Sequence, residues 1–147
     1  MKNIIVLPIK YALYLCALLI SLVSCDDGNL QIQQSYDFQL ETMPVPKSIA
    51  LGETIEIRCK LIVAGNYNEA HYTIRYFQPD GKGSLQLERD GTAFLPNEHY
   101  QLPNKDFRLY YTSNSTDQQT IDIYIEDNAG AVAMLTFSFN NKSEDEE

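Results

Sequence analysis

Between Gln119 and Glu126 the chain alternates without a break: Ile121, Ile123 and Ile125 fall on one side, Asp122, Tyr124 and Glu126 on the other. Successive side chains of a β-strand point to opposite faces, so this is the pattern of a half-buried strand. Asp127-Asn128-Ala129-Gly130 follows, with the small and polar residues of a tight hairpin. The returning strand then places Ala133, Leu135, Phe137 and Phe139 on one face. Upstream, Phe107, Leu109 and Tyr111 share a face in the same way.

The first half of the chain carries the same signal in shorter pieces. Tyr36, Phe38 and Leu40 alternate, and Pro44 and Pro46 then interrupt. Proline donates no ladder hydrogen bond, so a strand broken here suits an edge that passes from one sheet to another. Ile55, Ile57, Cys59 and Leu61 point one way, with Glu56, Arg58 and Lys60 opposite. Cys59 is thus expected to be a small buried hydrophobe. Tyr72, Ile74 and Tyr76 face inward against His71, Thr73, Arg75 and Phe77, and Pro79-Asp80-Gly81 reads as a turn. Leu85–Leu87 and Thr92–Phe94 read as short strands, and Pro96–Lys105 as a crossing with little strand signal. No helix is expected after the leader. Seven or eight short strands over residues 36–141 predict an all-β, immunoglobulin-like antiparallel β-sandwich without a disulfide.

The N-terminus follows different rules. Met1-Lys2-Asn3 and Lys10 precede an apolar run from Tyr11 to Ile20, which ends in Leu22-Val23-Ser24-Cys25. A basic start, a short apolar core and a small residue before the cut describe a signal peptide, residues 1–24. The run is too short for the roughly 20 residues of a spanning helix. The last four residues resemble a bacterial lipobox, which makes Cys25 the lipidation site. Two or three acyl chains there, palmitate among them, suffice for stable anchoring, since each buried CH₂ contributes about 0.8 kcal/mol. Residues 25–35 then read as the lipidated cysteine and a flexible tether. Residues 142–147 read as an acidic tail. Loss of the leader removes two lysines and takes the net charge from −9 to −11. That charge argues against a nucleic-acid partner, which requires a basic stripe. Cys16 leaves with the leader and Cys25 is acylated, so Cys59 has no partner in the chain and the core must hold without a covalent link.

Catalytic chemistry finds little support. His71 and His99 lie in no zinc-binding spacing, and no second free cysteine is present. Asp80-Gly81-Lys82-Gly83 and Asp90-Gly91-Thr92 lack the carboxylate spacing of a calcium loop. No serine sits in a nucleophile elbow and no glycine-rich phosphate loop occurs. Neither an enzyme, a metal, a cofactor nor a small-molecule substrate is expected. One surface is different. The outward side of the strands carrying His71, Arg75 and Phe77, then Asp122, Tyr124 and Glu126, then Val132 and Met134, mixes aromatic and apolar groups with both charge signs. Interfaces use that composition. The same residues also suit plain cross-strand pairing, with Arg75 meeting Asp122 or Glu126 under Tyr124.

Several blocks are similar to the TraQ conjugal transfer family: Glu41–Lys47, Gly52–Cys59, Tyr72–Gly83, Phe107–Thr120 and Leu135–Asn140. The resemblance spans nearly all of residues 36–141. It implies a small lipoprotein of Bacteroides-type conjugative transposons, held at the cell envelope by its lipid, on the outer membrane, with other envelope proteins of the transfer apparatus as partners. It brings no catalytic residues. A surface-exposed glycan-binding or mating-contact adhesin is the alternative.

Overall fold

A computed structural model of the chain describes residues 36–65 and 69–142. The expected signal segment, Cys25, the tether and the tail from residue 143 lie outside the described residues. Nine strands follow in order: β1 (Phe38–Thr42), β2 (Ser48–Ile49), β3 (Thr54–Val63), β4 (Tyr72–Asp80), β5 (Gly83–Gln86), β6 (Tyr100–Gln101), β7 (Asp106–Ser113), β8 (Gln119–Asp127) and β9 (Val132–Asn141). They form a four-stranded sheet, β1-β3-β7-β5, and a five-stranded sheet, β2-β9-β8-β4-β6. With β1 and β2 taken as two halves of a first strand, this is the strand order of an immunoglobulin-like sandwich.

Each inward face was legible as alternation. Ile57, Ile74, Leu109, Tyr111, Ile121, Ile123, Ile125 and Phe139 are fully buried. Each such side chain contributes about 1.5–3 kcal/mol relative to exposure. Cys59 is buried among them as a free thiol, and its Sγ–H donates to Ile57 O at 3.7 Å. The proline break does what was expected of it. β1 pairs antiparallel with β3 in one sheet, and after Pro44 and Pro46 the two-residue β2 pairs parallel with β9 in the other.

The stretch around Thr92–Phe94 departs from expectation. It forms no strand. Phe94 is buried because its ring stacks on Tyr100 at 4.0 Å, while its N–H donates to Leu85 O. One apolar residue docked this way imitates the end of a strand. Conversely, the crossing contains β6, which pairs with Thr73 and Ile74 and is too short to show a period. Pro79 also lies inside β4 rather than after it, accommodated where the register with β8 shifts between Phe77 and Asp80. The turns themselves fall at Gly81 (φ 76°) and Gly130 (φ 90°), both in the left-handed region.

A polar knot closes the lower end of the sandwich. Tyr111 Oη donates to Gln119 Oε1 at 2.8 Å, and Gln78 Nε2 reaches Tyr111 Oη at 2.6 Å and Gln119 Oε1 at 3.0 Å. Gln119 Nε2 in turn donates to Ser115 Oγ at 2.9 Å and Asp117 O at 2.8 Å. Among the described residues no buried side-chain nitrogen or oxygen lacks a partner. In a chain whose core has no disulfide, this knot ties β4, β7 and β8 together.

Candidate functional site

The outer face of the second sheet is a three-by-three grid set by strand register. Its rows are Thr73, Glu126 and Val132; Arg75, Tyr124 and Met134; and Phe77, Asp122 and Thr136. Regular pleating brings residues from three distant segments side by side, with directly opposed Cβ atoms about 5 Å apart.

Arg75 is the centre. Its Nε donates to Glu126 Oε1 at 2.5 Å and its Nη1 to Asn97 Oδ1 at 3.0 Å. Its guanidinium carbon lies 4.8 Å from the Tyr124 ring centroid and 5.4 Å from that of Phe77. The two rings meet edge to face at 5.6 Å and 81°. The guanidinium is thus held by a carboxylate and an amide and stacked on two π-faces, each cation–π contact contributing about 0.5–1 kcal/mol at exposed sites. Beside it, Thr136 Oγ1 donates to Asp122 Oδ1 at 2.6 Å. Met134 and Val132 extend the patch as exposed apolar side chains, 48% and 54% accessible.

Seven of the eight expected face residues, Arg75, Phe77, Asp122, Tyr124, Glu126, Val132 and Met134, stand together here. His71 stands apart, one residue before β4, where its N–H and C=O both bond Asn128 of the β8–β9 turn. His99 takes the position beside the cluster, with Nδ1 3.4 Å from Thr73 Oγ1 and 4.0 Å from Glu126 Oε2. Asn97 and His99 were therefore missed by reading alternation, because the crossing has none. The Pro96-Asn97 dipeptide carried the usable signal: Asn97 adopts φ 65°, which asparagine tolerates better than most residues.

The first sheet offers a different surface. An open trough of about 520 Å³ is lined by Glu41, Met43, Arg58, Lys60, Phe107 and Arg108, among others. Two of its cations, Arg58 and Arg108, are already paired. Glu56 meets Arg58 at 2.6 Å and Arg108 at 3.2 Å. The hydrogen bond from Arg58, then the charge of Arg108, holds the Glu56 carboxyl below its ordinary value. Glu56 therefore offsets the charge of the trough's two arginines. Nor does any described trio of His, Cys, Asp or Glu side chains gather to hold a metal ion.

Comparison with known proteins places this fold. A family model described as TraQ conjugal transfer protein matches residues 8–142. A lipoprotein from Bacteroides thetaiotaomicron, solved by solution NMR, is 58% identical over 82% of this chain and 92% of its own, with a TM-score of 0.66. A conjugative transposon lipoprotein from Bacteroides eggerthii, solved by crystallography, is 46% identical over 73% of this chain and all of its own, with a TM-score of 0.67. A conjugate transposon protein from Bacteroides vulgatus is 51% identical over 82% of this chain and 97% of its own, with a TM-score of 0.64. No curated protein matches. The family model covers most of the chain and the solved relatives share its sandwich, so the chain belongs to the TraQ conjugal transfer protein family.

Proposed function

We propose that this protein is a non-enzymatic module of the conjugative transfer apparatus, anchored through Cys25 to the outer membrane, and that it binds other envelope proteins of that apparatus through the β4–β8–β9 face. The observation that carries the reading is the prearranged Arg75 cluster. Arginine and tyrosine dominate the energetics of protein interfaces, especially where they are already ordered. Here Glu126, Asn97, Tyr124 and Phe77 fix Arg75 before any partner arrives, so little side-chain freedom remains to be lost on binding. Exposed Met134 and Val132 beside it supply apolar area. A glycan-binding adhesin is served less well, because Arg75 lies over the Phe77 and Tyr124 ring faces that a sugar would stack on.

A photo-crosslinking residue at Tyr124 in transfer-competent cells tests the face. Adducts with transfer proteins are expected from Tyr124 and not from Thr54 on the opposite sheet. Equal labelling from both positions, or none from Tyr124, would remove the face from consideration, and hits on a glycan array would favour the adhesin. The anchor has its own test. Cys25→Ala is expected to give an unacylated protein released from membranes, and labelled acyl chain on that variant would end the claim.

A further inference from the structure

The segment from Asn97 to Leu102 straps the edge of β4. Its two ends are tied by backbone bonds: Asn97 N–H donates to Tyr76 O and Leu102 N–H to Tyr72 O, both at 2.9 Å. Between them β6 pairs with Thr73 and Ile74. Two strap side chains add ties to the outer face, and they differ in kind. Asn97 Oδ1 accepts from Arg75, and neither group changes charge near neutral pH. His99 is the other, and an imidazole does change charge, between about pH 5 and 8.

The ring is placed to use that change. Nδ1 stands 3.4 Å from Thr73 Oγ1 on β4 and 4.0 Å from Glu126 Oε2 on β8. In a neutral ring one nitrogen carries the hydrogen and the other a lone pair. With the lone pair on Nδ1, the ring accepts from Thr73 and sets one acceptor against another at Glu126 Oε2. Protonation puts a hydrogen on both nitrogens. Nδ1–H then donates to Oε2, once the gap closes by roughly 1 Å to the length of a charge-assisted bond. Thr73 Oγ1 is freed to donate to Glu126 O, 3.4 Å away. Glu126 becomes held by both oxygens, Oε1 by Arg75 and Oε2 by His99.

The other charged and titratable groups around the ring leave this contact open. On β4, Arg75 is committed to Oε1 and to Asn97. On the strap, Glu98 is exposed and the Tyr100 hydroxyl accepts from Leu95 N–H at 2.8 Å. The His99 side chain is 50% exposed, so its proton comes and goes without any opening of the fold, while Glu126 is 21% exposed and keeps the contact partly shielded. We infer that His99 is a proton-operated latch. Charged, it binds Glu126 and joins the strap, β4 and β8 around the Arg75 cluster; neutral, it leaves the strap on its backbone bonds and Asn97. A better-ordered cluster loses less freedom on binding, so the β4–β8–β9 face binds its partner more tightly as pH falls from about 8 to about 6. That control rests on the proposed role of the face, whereas the latch is measured without any partner.

Hydrogen exchange on the full-length protein in detergent tests the latch. Protection of the Asn97 and Leu102 amides, corrected for the intrinsic pH dependence of exchange, is expected to rise roughly fivefold or more between pH 8 and pH 6. The Ile121 amide in the central strand is expected to stay constant and to report an intact fold. His99→Gln and Glu126→Gln should each abolish the rise. His71 lines the same depression as Gln101 and Leu102, so it is the rival titrating group. His71→Gln should leave the rise unchanged. Protection that is flat in the unaltered chain would overturn the latch, as would a rise that survives Glu126→Gln or disappears in His71→Gln. For the face, photo-crosslinking from Tyr124 in isolated envelopes is expected to yield at least threefold more adduct at pH 6 than at pH 8, and an equal yield in His99→Gln. Equal yields from the unaltered chain would overturn the control of binding. No adduct at either pH would instead remove the partner-binding reading, with the exchange result deciding the latch on its own.

Discussion

At the scale of single residues, a glycine and a glutamine show how tightly the lower end is specified, and a second glycine, in the turn at the opposite end of β8, gives the contrast. A Cβ on Gly83 would stand 2.3 Å from Tyr111 Oη and 2.5 Å from its Cζ, against a ring that is fully buried and cannot yield. Gly83→Ala is therefore expected to cost about 1–3 kcal/mol through overpacking. Gly130 has no atom within 4 Å of an added Cβ, so alanine there meets only the strain of positive φ, about 1 kcal/mol. Thermal unfolding of the two variants should rank them in that order; the reverse would show that the Tyr111 ring can move aside. Gln119→Ala removes the acceptor for Tyr111 and Gln78 and the donor for Ser115 and Asp117. Leaving buried polar groups unpaired is expected to cost about 2–4 kcal/mol, more than most single truncations of exposed residues. A loss below about 1 kcal/mol in urea unfolding would mean that water replaces the amide without penalty. None of these three roles follows from alternation. Gly83 and Gln119 matter because strands distant in sequence converge on them.

At the scale of elements, what the chain reveals depends on length. β3, β4, β7, β8 and β9 each run for eight residues or more, and their inward faces are written plainly as period two. The switch of the first strand between sheets was also readable, because Pro44 and Pro46 leave few alternatives. β2 and β6 have two residues each, a single period that cannot repeat. Their positions are fixed by partners, and so is the strap from Asn97 to Leu102 that covers β4. That strap completes the candidate site, since Asn97 both donates to Tyr76 O and accepts from Arg75. Its φ of 65° separates two effects by substitution. Asn97→Gly keeps the backbone conformation and loses the bond to Arg75, with an expected cost under about 1 kcal/mol. Asn97→Ala loses the bond and strains the backbone as well, at about 1–3 kcal/mol. Denaturant midpoints should place the alanine variant clearly below the glycine variant. If the two coincide, the strap does not hold Asn97 in the left-handed region.

At the scale of the whole molecule, one cooperative core without a covalent brace makes stability follow the ionisation of what is buried. Burial pushes the Cys59 thiol up to about 12 from an ordinary value of 9.0, and it raises the Tyr72, Tyr76 and Tyr111 phenols as well. In each case the neutral form is favoured by folding. Above the ordinary value the unfolded chain has released its proton while the folded chain still holds it, so stability falls as pH rises. For Cys59 that window runs from about pH 9 to about 12. The slope there is about 1.4 kcal/mol per pH unit for one group. Glu56 acts in the opposite direction, because its carboxyl is held below the ordinary value and its contribution is lost only in acid. The alkaline limb can be assigned to the thiol by deleting it. At pH 7, Cys59→Ala is expected to be less stable than the unaltered chain by about 1–2 kcal/mol, from lost packing. Between pH 9 and 11 the unaltered chain alone bears the thiol penalty, so the difference should shrink and vanish near pH 10–11. Both proteins carry the same buried tyrosines, whose contributions cancel in the comparison. Urea midpoints for the pair at pH 7, 9, 10 and 11 measure this directly. A gap that stays constant across the series would show that the thiol ionises as easily in the folded chain as in the unfolded one. Cys59 would then have to face water, and the inward face of β3 would be misassigned.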